Sequence, residues 1–230
     1  MSSKFTFNDH SNLDGKHALF APSQSTWLRY DNDKIIEKVC NQYRTTLGTE
    51  IHDFAASQIE LRHKYTSLRE LTRSVENYIY CKYKYLNENL IVGDYPKKLM
   101  AHLNNIPKEV FEAVKFYIND GVGFRMNTEQ CLYFSDNCFG HADTISFKND
   151  FLRIHDLKTG STPAHIEQLE IYAALFCLEY KVKPSTIQIE LRLYQWDGIE
   201  MENPTAETIM DIVDKIIANE KIVQDLEKEI

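Results

Sequence analysis

The feature that most constrains this chain is a change of apolar period near its middle. Before it, apolar residues recur at helical spacing: Ile35, Ile36, Val39 and Tyr43; then Ile51, Phe54, Ala55, Ile59 and Leu61; then Val110, Val114, Tyr117 and Ile118. From Val122 to Leu157 the pattern shortens to period two. Turn residues divide it at Asn127, Asp136-Asn137 and Asn149-Asp150. Short strands are predicted over Val122–Met126, Gln130–Ser135, Gly140–Lys148 and Phe151–Leu157. Pro163 then opens a helix from about Ala164 to Tyr180. A strand from Thr186 to Trp196 ends on an Asp197-Gly198 turn signal, and a helix follows from about Thr205. This order predicts an α/β fold with a mixed central sheet flanked by helices and a helical N-terminal region.

Asp31 or Asn32 is placed to cap a first helix through about Thr46. Gly48 interrupts the pattern, and a second helix is expected from about Thr49 to His63. Leu68 to Asn87 reads as a third helix, unusually aromatic. The pattern breaks around Val92–Pro96, and Pro107 opens a helix to Asn119 at a first-turn position. A length of 230 residues suits one domain, with a helical part over about 1–119, a sheet core over about 120–200 and a closing helix over about 205–230. The stripe of Ile209, Ile212, Val213, Ile216, Ile217, Val223 and Leu226 covers few heptads, so it is expected to pack on this domain.

With 43% hydrophobic and 26% charged residues, the chain is expected to be ordered and globular. No apolar run reaches the roughly 20 residues of a membrane span. Met1 to Asp14 carries no apolar signal core, so a cytoplasmic location is expected. Cysteines 40, 81, 131, 138 and 177 form no C-x-x-C pair and match no common zinc spacing. They read as free or buried thiols. A net charge of −8 argues against broad adhesion to nucleic acid, but not against a local phosphate site.

Three segments carry candidate chemistry: Gly140-His141-Ala142-Asp143, Ile154-His155-Asp156-Leu157-Lys158-Thr159-Gly160, and Gln168-Leu169-Glu170-Ile171-Tyr172. On a strand, Asp156 and Lys158 share a face. If the strands around Asn149-Asp150 pair as a hairpin, Asp143 and Asp156 lie equally far from its centre. Their Cβ atoms would then be about 5 Å apart. Two such carboxylates repel, and a divalent cation removes the penalty. Oxygen ligands with open water positions suit Mg²⁺ or Mn²⁺, which activate water and stabilise charge on a phosphate. Lys158 would orient the water and offset phosphate charge. Gln168 and Tyr172, four apart, share one helix face.

Gly-x-x-Asp, hydrophobic-x-Asp-x-Lys-Thr-Gly and Gln-x-x-x-Tyr together resemble the motif set of RecB-like nucleases of the PD-(D/E)xK superfamily. Those nucleases also carry an upstream helical Gly-x-x-x-His, and Gly48 to His52 has that spacing. The resemblance spans about Gly48 to Tyr172. His17 to Trp27 also resembles the opening of phage-encoded members. The resemblance implies a restriction-endonuclease-like core and a Mg²⁺- or Mn²⁺-dependent deoxyribonuclease. It favours an exonuclease over an endonuclease, acting in phage recombination or DNA processing within the host cytoplasm. His52, Asp143 and Asp156 would be metal ligands, with the Leu157 carbonyl as a further one. Lys158 would be the catalytic lysine, and Gln168 and Tyr172 would support the site or contact DNA. A single-strand-annealing or other recombination protein is an expected partner, and oligomerisation is compatible.

The chain departs from the pattern in places. His155 stands where the eponymous proline would be, and Leu157 replaces a frequent aromatic. Some members hold an iron–sulfur cluster with three cysteines after the Gln-x-x-x-Tyr helix. Here only Cys177 follows, so no cluster is expected. The competing reading is a nuclease-fold protein that binds DNA or a partner without cutting. Glu50 and Asp53 are alternative acids, although Glu50 points elsewhere on a helix. His155 should face away from the metal, and His141 is left out of the site. Arg62 to Lys84 carries six Lys/Arg against two Glu, interleaved with Tyr78, Tyr80, Tyr83 and Tyr85. It reads either as an arm whose tyrosines pack inward or as a single-strand track.

Overall fold

The structure, a computed structural model, describes residues 18–89, 95–160 and 165–229, the side chains of 85–89 and 229 excepted. His17, the Tyr85 side chain, Val92 in the expected break, and Pro163 and Ala164 lie outside the described residues. Contacts divide the chain into two compact units, Met1–Thr45 and Thr46–Ile230. All expected site residues belong to the second.

The first unit contains a 3₁₀ turn, Ser25–Arg29, and the opening turns of helix α1 (Asn32–Glu60). Asp31 caps α1, its Oδ1 accepting from the Lys34 N–H at 2.8 Å. Trp27 donates its indole N–H to the Ala21 carbonyl at 2.9 Å and packs on Phe20.

The second unit holds α2 (Leu68–Asn89), α3 (Tyr95–Leu103), α4 (Lys108–Phe124), β1 (Asn127–Ser135), β2 (Cys138–Lys148), β3 (Phe151–Leu157), α5 (Glu167–Tyr180), β4 (Gln188–Gln195), β5 (Gly198–Glu202) and α6 (Ala206–Glu229). The fold is α/β, with a five-stranded mixed sheet in the order β1-β2-β3-β4-β5. Only β3 and β4 run parallel, joined through α5; the other neighbours are antiparallel. This agrees with the expected class. One core lies between the sheet and α5–α6, built from Leu152, Ile154, Leu191 and Leu193 against Leu169, Ala173 and Ile209. Helix α4 covers β3 and β4 from elsewhere, its Tyr117 ring 5.5 Å from that of Tyr194.

Several boundaries differ from expectation for physical reasons. Gly48 does not break α1. A Cβ there would stand 3.0 Å from Thr159 Oγ1, so the glycine permits a close approach within a continuous helix. Leu61, expected on the apolar face, lies past the helix end and is 73% exposed. Val122–Met126 is not a strand. The helical series Val114, Tyr117, Ile118 continues through Gly121, where a Cβ would meet Ile59 Cδ1 at 2.7 Å. Helix α4 then closes in a Schellman motif: Arg125 is left-handed, its N–H donates to Val122, and the Met126 N–H donates to Gly121 at 2.9 Å. Pro107 is its N-cap rather than a first-turn residue.

β1 begins at Asn127, three residues before the predicted start, because the backbone passes through Glu129 at φ 48° and the pairing resumes. β5 is not among the expected strands: β4 ends at Gln195, the turn is Trp196-Asp197 rather than Asp197-Gly198, and Gly198 opens a further strand paired with β4. In α6, Ile209 and Val213 are buried, but Ile217 and Leu226 are exposed, so only its first half packs as expected. No helix among the described residues is long and apolar enough to cross a membrane.

Candidate active site

The β2–β3 hairpin frames the site. Asn149 and Asp150 both take left-handed backbone, φ 54° and 56°, the two-residue turn that matches strand twist. The register runs from Lys148↔Phe151 to Thr144↔His155. One step further, Asp143 comes opposite Asp156, as the equal spacing from the turn predicted.

Asp143 sits where strict alternation is interrupted. Ala142 and Ile145 are three apart, yet both belong to the core beneath α5. Across the β1 pairing, Thr128↔Thr144 and Gln130↔Ala142 leave the left-handed Glu129 opposite Asp143. Such irregularities re-aim side chains. The Asp143 Oδ2 accepts the Leu157 N–H at 3.0 Å and lies 3.4 Å from His52 Nδ1. Helix α1 thus delivers His52 to Asp143 on the interior strand β2, and Gly48, one turn earlier on the same face, lets the helix come close to Thr159.

Asp156 is 3% exposed. Lys158 Nζ lies 3.0 Å from its Oδ1 and 2.9 Å from its Oδ2, but Oδ2 accepts no well-aligned hydrogen bond. Burial, and then the charge of Asp143, push the Asp156 carboxyl up to about 6, against the pull of Lys158 and His52. His52 moves upward too. Burial lowers its pKa, but the Asp143 and Asp156 carboxylates more than offset this. Two carboxylates crowd one half-buried spot, with the Lys158 ammonium and the His52 imidazole as neighbours.

Lys158 is held from both sides. Its backbone N–H extends the ladder to the Tyr194 carbonyl at 2.8 Å. Its Nζ donates to Gln168 Oε1 at 3.2 Å, and Gln168 Nε2 donates to the Tyr172 hydroxyl at 3.1 Å. Gly140 makes room for the Tyr172 ring. The structure therefore brings the six site residues together: His52 meets Asp143, Lys158 links Asp156 to Gln168 and Tyr172, and the hairpin register sets the two groups side by side. Leu157 is fully buried and contributes its N–H to Asp143.

His155 points away, as alternation predicts. It is buried against Phe124 and Tyr194, its Nδ1 3.3 Å from the Tyr194 hydroxyl. Glu50 is also outside the site: it is buried, ion-paired with Lys82, and accepts the Tyr83 hydroxyl at 2.9 Å. Asp53 pairs with the same lysine at 3.1 Å. Sequence reasoning missed Glu129. Burial first, and Asp143 second, raise its carboxyl, while His52 and His141 oppose this. No sequence signal carried it: counting from Asp136-Asn137 sets Gln130 opposite Asp143, and the register shift between Tyr133 and Ser135 brings Glu129 there instead.

The donor set suits a divalent cation: an imidazole and two carboxylates, one of which, Asp156, has a buried oxygen without an aligned donor. As the side chains stand, no three His, Cys, Asp or Glu among the described residues already enclose such an ion. No protein-family model matches the chain. No solved structure matches it.

Proposed function

We propose that the chain is a Mg²⁺- or Mn²⁺-dependent deoxyribonuclease with a restriction-endonuclease-like core, related to the RecB-like nucleases and acting as an exonuclease in phage recombination or DNA processing. The observation that carries this reading is the state of Asp156. It is a buried carboxylate, pushed up to about 6 by burial and by Asp143, with a lysine fixed against it. Buried charges are kept where they are paired or hold metal. A purely structural pair would need only Lys158. The added Asp143 carboxylate makes the spot too acidic for one lysine, and with His52 it supplies donors that a cation needs.

In this reading Asp143, Asp156 and His52 hold the metal, and the Leu157 carbonyl is a further donor. The bound cation would lower the pKa of a water and stabilise charge on the scissile phosphate. Lys158 presents its ammonium beside Asp156, where it offsets phosphate charge and orients the attacking water. Gln168 restricts the lysine to that position, and Tyr172 restricts Gln168. Burial of Asp156 keeps solvent from competing for its oxygens.

The purified protein with Mn²⁺ should degrade linear DNA, and the Asp156→Ala and Lys158→Ala variants should not. Equal digestion by wild type and Asp156→Ala overturns the assignment. End-labelled linear DNA compared with closed circular DNA separates exonuclease from endonuclease action. Binding of DNA without cleavage under any divalent cation would leave a catalytically silent binding protein.

A further inference from the structure

On the far side of α1 from His52 lies an open groove between α1 and α2. Its volume is about 750 Å³, within the range of small-molecule clefts. Phe54, Tyr65 and Tyr78 line it with Gln58, Ser74 and Asn77. The rings meet in tilted or edge contacts, Phe54–Tyr78 at 5.5 Å and Phe54–Tyr65 at 6.2 Å. None of these pairs is stacked face to face. Tyr65 donates its hydroxyl to Gln58 Oε1 at 3.0 Å, and Asn77 is the exposed amide beside the rings.

The groove adjoins an unusual helix face. Arg69, Arg73, Asn77, Tyr80 and Lys84 recur three or four residues apart along α2, and all are exposed. No described residue forms an ion pair with Arg69, Arg73 or Lys84. Of the two acids nearby, Glu76 is half-buried and Glu70 faces His63 at 3.9 Å. Lys82, at the groove's end, is occupied by Glu50 and Asp53. Within a chain of net charge −8, residues 62–84 carry six Lys/Arg against two Glu. Arg69 and Arg73 stand one turn apart, about 6 Å along the axis, and Lys84 stands about 16 Å further on the same face. Cations without an ion-pair partner among the described residues, next to an aromatic groove, match a polyanion that also presents flat apolar rings.

We infer that this face and groove bind single-stranded DNA, with Arg69, Arg73 and Lys84 on phosphates, one base in the groove against Tyr78 and another on Tyr80 of the adjoining face. The inference deepens the nuclease reading by naming the form of substrate held near the site. A base-paired strand cannot offer its rings to the groove, whereas a single strand can.

The test uses the full chain carrying Asp156→Asn, without divalent cation, and a labelled thymidine oligodeoxynucleotide of about 12 nucleotides. Anisotropy should show binding whose log–log salt slope includes roughly −2 from the three cations. Replacing Arg69, Arg73 and Lys84 together by Ala should remove that part of the slope and weaken binding at least tenfold. Tyr78→Leu should weaken binding roughly five- to hundredfold with the slope unchanged. Tyr80→Ser, at a ring 50% exposed, keeps the test informative if Tyr78→Leu fails to fold. Cys81 lines the groove and is exposed, so bound oligonucleotide should shield it from alkylation. The inference is overturned if the triple variant binds like its parent. It is also overturned if heparin shields Cys81 equally, or if duplex DNA or the matching oligoribonucleotide binds more tightly. Oligonucleotide bound in the groove but never cleaved by the wild type would sink the nuclease reading while leaving this one standing.

Discussion

Gly140 lies where any side chain would collide with Tyr172: a Cβ built on it would stand 2.9 Å from Tyr172 Cε1. Tyr172 holds Gln168, and Gln168 holds Lys158. A glycine on β2 thus fixes an ammonium at the end of β3 through a helix that touches both. Gly140→Ala should push the ring aside and release Gln168. The expected result is a fall of about tenfold in turnover, since small displacements of positioned groups are costly, with only a modest loss of thermal stability. Normal turnover in Gly140→Ala would show that Tyr172 does not act through Lys158.

Gly48 makes the same kind of approach to Thr159, at 3.0 Å from its Oγ1. A glycine inside a helix costs roughly 0.5–1 kcal/mol relative to alanine. With Thr159 intact, the contact should cancel that gain. With Thr159→Ala, adding Gly48→Ala should stabilise the protein by about that amount. Urea midpoints of the single and double variants test this, and a stabilising Gly48→Ala in the native background would show the contact to be slack.

His155 predicts a pH dependence. Burial first, and then Arg192 and Arg153, lower its pKa to about 3 from an ordinary 6.5, so it stays neutral in the folded chain. The unfolded chain takes up the proton once pH falls below 6.5. Stability from this residue is therefore complete above 6.5 and is lost as pH falls from there towards 3. The whole loss is at most about 5 kcal/mol at roughly 1.4 kcal/mol per unit. His155→Gln should flatten the fall in unfolding free energy over that window. An unchanged pH profile would place the sensitivity elsewhere.

Much of this architecture was legible beforehand because it is written in local periodicity. Asn149-Asp150 declared the hairpin turn, and alternation on both sides declared the register that brings Asp143 opposite Asp156. What local pattern could not reveal was decided by partners distant in sequence. Gly48 looked like a break because its compensating neighbour, Thr159, lies 111 residues away. Val122–Met126 alternates like a strand, but Gly121 is fitted against Ile59 and keeps the helix running. Glu129 escaped notice because its left-handed backbone sits inside a strand, where pattern reading expects a turn. The site's membership followed from a resemblance between motifs. Its connections, from Gly140 to Tyr172 and from Lys158 to Gln168, required the fold.

A cation should register as stability before it registers as activity. At a concentration about a hundredfold above its dissociation constant, a ligand of the folded state adds about 2.7 kcal/mol. For a chain this size that is about 5–10 °C in Tm. Mn²⁺ should produce such a rise in the wild type, and Asp143→Asn or Asp156→Asn should abolish it. Without cation, Asp156→Asn should gain stability relative to wild type as pH rises from about 3.8 to about 6, and the difference should level off above that. Above that pH the wild type must bury a charged carboxylate beside Asp143, and the variant need not. Equal Mn²⁺ shifts in all three proteins would place the cation elsewhere.

Lys158 and Gln168 allow the roles of chemistry and positioning to be separated. Lys158 Nζ touches both Asp156 oxygens and Gln168 Oε1, whereas Gln168 reaches the site only through the lysine and Tyr172. Lys158→Ala should lower the single-turnover cleavage rate by about 10²–10⁴, the range of a group acting directly on proton transfer. Gln168→Ala should lower it by about tenfold, because the ammonium keeps Asp156 but loses its second restraint. The double variant should be no slower than Lys158→Ala alone, since a positioning group has nothing left to position. If the two losses instead multiply, Gln168 acts on the substrate directly and belongs to the binding surface.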